Sequence, residues 1–138
     1  RRYAFGVVAV LEVRQLVRRG MYEVGNNPDG GTAYKLIHTA VVPLAVKTGT
    51  AQVVGISQTA KKRMKEADMD YFHRSHAWMT SFGPYDKPQY AVTVLVEHGG
   101  GGGSAAGPVI MQIYEKLAQM GYIDANATTS KDTVKKTK

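Results

Sequence analysis

Chemistry-bearing side chains concentrate in one short stretch, Lys47-Thr48-Gly49-Thr50, inside a segment that otherwise reads as a buried strand, AVKTGTAQV (45–53). A strand alternates its side chains, so Lys47 and Gly49 share one face and Thr48 and Thr50 the other. A lysine at a partly dry sheet edge supplies positive potential. Threonine hydroxyls nearby can donate to a carboxylate. Gly49 removes a side chain, so a ligand backbone can lie close. The N–H that follows it, that of Thr50, can point at a developing oxyanion. The plainer reading, a polar edge strand with Lys and Thr facing solvent, stays open on so short a motif.

Other chemistries fit less well. A phosphate loop needs Gly-x-x-x-x-Gly-Lys-Ser/Thr, and Val46 stands where the glycine before Lys47 should be. The run Gly99–Gly103 precedes a helix and could cradle phosphate, but no lysine follows it, and a flexible strand-to-helix turn explains it better. His38, His73, His76 and His98 form no H-E-x-x-H pattern, and the chain has no cysteine. They read as structural or exposed. No metal and no cofactor are expected. Ser75 and His76 are neighbours on a strand and point apart. Trp78, alternating with His76 and Thr80, reads as core packing.

The elements that would position these residues follow from periodicity. Residues 4–24 carry Val10, Val13, Val17, Met21 and Val24 at helical spacing, with Arg14, Gln15, Arg18 and Arg19 on another face. Gly20, near the apolar face, would allow close approach of a neighbour. GNNPDGG (25–31) is dense in turn formers and ends the helix. Residues 32–38 give no clear signal. Thr39–Gly55 reads as extended, with Pro43 near its start. Residues 56–74 read as a polar insertion with a short helix over KKRMKEADM (61–69). Ser75–Phe82 and Gln89–Glu97 read as strands joined by the turn GPYDKP, an antiparallel hairpin. Pro108 suits the first turn of a final helix bearing Val109, Ile113, Leu117 and Met120, which Gly121 stops. The fold class is therefore α+β, an antiparallel sheet flanked by helices. Three strands leave two open edges, so the sheet is expected to be completed by segments outside these residues.

The chain has 138 residues and a net charge of +7, about one domain. No apolar run approaches the ~20 residues of a membrane helix, and no secretory signal pattern opens the sequence. Residues 124–138 hold four lysines against two aspartates and read as a basic, disordered tail after a domain spanning 1–123. Lys61, Lys62, Arg63 and Lys65 form a second basic cluster. Neither is interleaved with aromatics, which disfavours single-strand nucleic-acid binding.

K-T-G belongs with S-x-x-K and S-D-N to the motif set of penicillin-binding proteins and class A β-lactamases. KTGTAQV (47–53) resembles the third motif of class B penicillin-binding proteins. HAWMTSFGP (76–84) resembles the family's next strand, and PQYAVTVLVEHGGGGGSAAGPV (88–109) its last strand, glycine turn and C-terminal helix start. GNNPDGGTAYK (25–35) is similar to a turn upstream. Within the family, the V-E-H-G-G form at Val96–Gly100 is similar to the cell-elongation branch. Met79 and Gly83 replace the commoner Phe and Ala. None of Ser57, Ser75, Ser81, Ser104 and Ser130 has lysine three residues on or asparagine two residues on. The chain thus resembles the C-terminal part of a transpeptidase domain, without its nucleophile.

The resemblance implies peptidoglycan D,D-transpeptidation. A serine outside these residues attacks the bond between two D-alanines of a stem peptide, and β-lactams imitate that donor. Lys47 is implied to support proton transfer and the substrate carboxylate. Thr48 and Thr50 are implied to hydrogen-bond that carboxylate, and the Thr50 N–H to form half of the oxyanion hole. Gly49 keeps the strand clear, and Ala51 and Gln52 flank the peptide along the edge. Implied partners are the stem peptide, β-lactams, the N-terminal part carrying S-x-x-K and S-x-N, a rod-shape scaffold protein and a membrane glycosyltransferase, with no nucleic acid. The implied location is the periplasmic face of the bacterial inner membrane, anchored by a preceding helix. A non-catalytic interaction module of the same fold, and a small basic nucleic-acid binder, are the competing readings.

Overall fold

A computed structural model describes residues 2–55 and 64–125, with side chains from residue 11 onward. Helix α1 (Arg2–Asn26) leads through the glycine-rich turn to a single helical turn, α2 (Tyr34–Ile37). Strands β1 (Ala45–Ala51), β2 (His76–Gly83) and β3 (Tyr90–Val96) follow, then helix α3 (Gly102–Gln119). The sheet is antiparallel in the order β1-β2-β3. Its register sets Gly49 opposite Trp78 and Trp78 opposite Leu95. The α+β class and the hairpin are as the residues predict.

Alternation gives the sheet two unlike faces. Val46, Met79 and Ser81 are buried, together with Ile110 and Tyr114 of α3 and Ile37, Val42 and Leu44 before β1. Tyr114 is the largest side chain in this core. Its hydroxyl donates to the Tyr90 carbonyl at 3.2 Å and accepts from Ser81 Oγ at 3.3 Å. Burial raises its phenol pKa above the usual range, partly opposed by the Ser81 bond. On the opposite face Thr80 and Thr93 bond each other at 2.9 Å, and Leu95 stays exposed. Trp78 is on this face and 40% exposed. It is not core packing: α1 reaches only the Ala45–Phe82 end of this face, through Arg18 over the Phe82 ring, and leaves Trp78 open.

Helix α1 also differs from the expectation. Leu11, Val13, Leu16 and Val17 are exposed, Leu16 to 70%. The helix reaches past the sheet over residues 11–17, all of them exposed, and packs only towards its C-terminal end. Val10 is outside the described side chains. Arg18, expected on the polar face, instead donates to the Tyr85 carbonyl at 2.9 Å and stacks over Phe82 and Tyr85. Gly20 is not a close-approach site, since a Cβ there would meet nothing within 4 Å. That role falls to Gly25, where a Cβ would lie 2.5 Å from Ile37 Cδ1 and 3.2 Å from Val46 Cγ2.

Three boundaries move. The extended segment 39–55 is paired only over Ala45–Ala51, because residues 38–42 turn to bury Val42 and Pro43 has no N–H to donate. In the insertion, residues 56–63 lie outside the described residues. The described remainder of the expected helix holds one 3-10 turn, Glu66–Asp68, and a second, Tyr71–His73, follows it. Pro108 is inside α3 rather than in its first turn, because the helix starts earlier, on Gly102 and Gly103. Packing there overrides the low helix propensity of glycine. Gly121 does end the helix: at φ +75° it allows Tyr122 N–H to reach the Leu117 carbonyl and its own N–H the Ala118 carbonyl, at 2.9 and 3.0 Å. The lysine-rich segment 126–138 lies outside the described residues. No described helix is long and apolar enough to cross a membrane.

Candidate active site

The sheet edge formed by β1 carries Lys47, Thr48, Gly49, Thr50 and Ala51, and Gln52 follows directly. No other described strand pairs with that edge. Its hydrogen-bonding direction can be read from Gly102. A Cβ on Gly102 would lie within 2.7 Å of both the Gly49 and the Trp78 carbonyl oxygens. These oxygens are therefore less than about 5.5 Å apart, which in an antiparallel ladder holds only for a pair exchanging both backbone bonds. Gly49 and Trp78 are such a pair. By alternation, the N–H and C=O groups of Thr48 and Thr50 point away from β2, out of the free edge.

The side chains agree with this orientation. Lys47 is exposed on the outer face, and its Nζ reaches the edge to donate to the Thr48 carbonyl at 2.7 Å. Thr48 is half-buried on the other face, under the first turn of α3, where a Cβ on Gly103 would touch its Cγ2 at 3.4 Å. Thr50 Oγ1 accepts from the Gly102 N–H at 3.3 Å. A hydroxyl that accepts in this way keeps its own hydrogen to give. Ala51 and Gln52 are exposed at the end of the strand. The site thus offers one cation, a threonine O–H and an outward N–H along one edge. That set can hold a carboxylate and a carbonyl oxygen gaining charge. Among the described residues no group of three metal-ligating side chains occurs.

The supporting shell was largely invisible in the sequence. Glu66 clamps the buried Ser75, accepting from its N–H at 2.9 Å and from its hydroxyl at 2.8 Å. Gly100 N–H donates to the Ser75 carbonyl at 2.8 Å. The glycine run is therefore not a loose connection. It is tied to β2 and then enters the helix lying on β1.

The family profile "Penicillin binding protein transpeptidase domain" matches residues 10–115. The chain belongs to the penicillin-binding protein transpeptidase family. Among curated members, it is 39% identical over 103 residues to the peptidoglycan D,D-transpeptidase MrdA of Escherichia coli K12, covering 75% of this chain and 16% of that one. It is 36% identical over 102 residues to MrdA of Salmonella typhimurium, covering 74% and 16%. Among solved penicillin-binding proteins, PBP2 of Helicobacter pylori in complex with MreC is 50% identical with a TM-score of 0.65, over 79% of this chain and 18% of that one. PBP2 of Pseudomonas aeruginosa in complex with WCK 5153 is 36% identical with a TM-score of 0.52, over 69% and 17%. The chain thus spans about one sixth of the length of the curated relatives it matches, and its sheet and helices are a partial penicillin-binding protein fold.

Proposed function

We propose that this chain forms the K-T-G side of the active site of an elongation-type peptidoglycan D,D-transpeptidase. The observation that carries it is the free edge of β1, where Thr50 turns its N–H outward beside Lys47 and the Thr50 hydroxyl. A donor stem peptide lies along this edge as an added strand. Its terminal carboxylate is held by Lys47 and the hydroxyls of Thr48 and Thr50. The scissile carbonyl oxygen accepts from the Thr50 N–H and from a second N–H on the residue that attacks. The nucleophile is a serine on a part of the protein outside these residues. It is acylated as D-Ala leaves with a proton, and an amine from a second stem peptide then displaces it. β-Lactams enter as mimics of the donor.

The exposed apolar residues of α1 and the open part of the outer sheet face around Trp78 and Leu95 support this reading. Both are surfaces that the rest of a larger transpeptidase domain would cover. The likeness to H. pylori PBP2, solved with MreC, supports a rod-shape scaffold as partner, and action at the periplasmic face of the inner membrane is proposed as part of the same reading. A fluorescent penicillin tests the proposal. The intact protein is expected to be labelled covalently, Lys47→Ala to be labelled far more slowly, and residues 1–138 alone not at all. Covalent labelling of residues 1–138 by themselves would refute it.

A further inference from the structure

Two imidazoles meet at the junction between β2, β3 and the start of α3. His76 opens β2, and its Nδ1 accepts the backbone N–H of His98 at 2.9 Å. His98 sits in the turn after β3 at φ 52°, a left-handed conformation costing a residue with a Cβ about 1–2 kcal/mol. The ring centroids are 4.6 Å apart. His98 Nδ1 bonds the Arg74 carbonyl at 3.1 Å. A carbonyl only accepts, so this nitrogen carries a proton.

The two rings therefore differ in what protonation does to them. His98 keeps its bond to Arg74 whether neutral or charged. His76 cannot, because a proton on Nδ1 would face the His98 N–H, donor against donor. The turn that His76 holds leads within four residues to Gly102, whose N–H bonds Thr50 Oγ1. The groups around the pair are Tyr71 and Phe72, both packed on the His98 ring, Glu66 on Ser75, Glu97 beside His98, and Arg74, whose Nε is turned to the Met69 carbonyl at 3.1 Å. His73 lies further out, 4.0 Å from Asp70.

We propose that neutral His76 is a positioning residue, a latch that holds the start of α3 against the Thr50 edge and releases it on protonation. The latch is closed while the His76 Nδ1 is a free acceptor, and a proton on that nitrogen opens it. Its effect on acyl transfer rests on the transpeptidase reading; the contact itself does not.

Hydrogen exchange on the intact protein, corrected for the intrinsic pH dependence of exchange, reads the latch over residues 97–105. In the wild type, exchange there is expected to be about tenfold faster at about pH 5.5 than at about pH 7.5, the equivalent of one lost hydrogen bond. His76→Asn supplies Oδ1 at the place of Nδ1 and takes up no proton, so it should abolish the difference. His76→Leu, with no acceptor, should exchange fast at both. His98→Asn keeps the backbone N–H and tolerates a left-handed φ, so the pH response should survive it. An equal pH response in wild type and His76→Asn overturns the proposal, as does its loss in His98→Asn. Penicillin acylation is followed in parallel. Wild-type acylation should fall at low pH, and His76→Asn should retain it. If His76→Asn alters exchange without altering the acylation profile, the link to the Thr50 edge is overturned. If exchange behaves as expected and no form is ever acylated, the latch stands and the transpeptidase reading falls.

Discussion

Gly102 of α3 rests directly on the carbonyl oxygen of Gly49 in β1, backbone against backbone. A Cβ on Gly102 has no space, since Gly49 and Trp78 oxygens both lie in its path. Replacing an exposed helical glycine by alanine ordinarily gains about 1 kcal/mol. Gly102→Ala is expected to reverse that sign and cost about 1–3 kcal/mol, because the obstruction is backbone. Gly103→Ala is the control. Its Cβ would meet side chains rather than backbone, with the Leu36 Cδ1 methyl at 2.8 Å able to swing aside and Thr48 Cγ2 in ordinary contact at 3.4 Å, so stability should hold or rise. Denaturation midpoints of the two variants decide between them.

Lys47 is exposed, and among the described residues its Nζ bonds its neighbour's carbonyl alone. Lys47→Ala should leave stability within about 0.5 kcal/mol while slowing penicillin acylation about 10²- to 10⁴-fold. Thr50→Ala keeps the N–H and loses the hydroxyl. Its acylation should fall about tenfold to a hundredfold, the range of a hydrogen bond to a charged group. Stopped-flow acylation beside a thermal melt separates the two effects. Equal losses in stability and rate would assign Lys47 to packing.

Tyr114 should be among the last tyrosines to ionise. Burial favours its neutral phenol, so its folded pKa exceeds the unfolded one. The resulting stability is whole below about pH 10 and is lost as pH rises through the folded value. Tyr114→Phe should cost about 1 kcal/mol at neutral pH, for the bonds to Ser81 and Tyr90. It should also remove the latest-titrating component of the tyrosinate absorbance. Loss of an early component instead would place Tyr114 in contact with water.

The exposed stripe of α1 yields a prediction about the intact protein. On the proposed reading other parts of a larger domain cover that face, so Leu16→Asp should destabilise the intact protein by about 1.5–3 kcal/mol, the cost of losing a buried leucine. An unchanged chemical denaturation midpoint would show that the stripe faces water there too.

How much of this was legible in the sequence depended on distance along the chain. The β2–β3 hairpin was, because alternation over 75–97 is local. The division of Lys47 and Gly49 from Thr48 and Thr50 was, because it follows from the pleat. The start of α3 was not: Gly102 and Gly103 read as loop by propensity, and only their seat on β1 makes them helical. The packing face of α1 was misread because an apolar stripe shows that something covers it, not what. The His76–His98 bond joins residues 22 positions apart and depends on strand register. Trp78 was misassigned because one apolar face in a three-stranded sheet looks the same whether or not a layer lies over it.

The outward main chain of Thr48 and Thr50 has a further consequence. Ladder bonds made there come from groups that every amino acid shares. Mutation can alter the side chains along this rim, but substitution leaves the peptide groups themselves in place. Inhibitors that draw their affinity from those groups should therefore be harder to escape by point mutation than inhibitors gripping Lys47 or a hydroxyl.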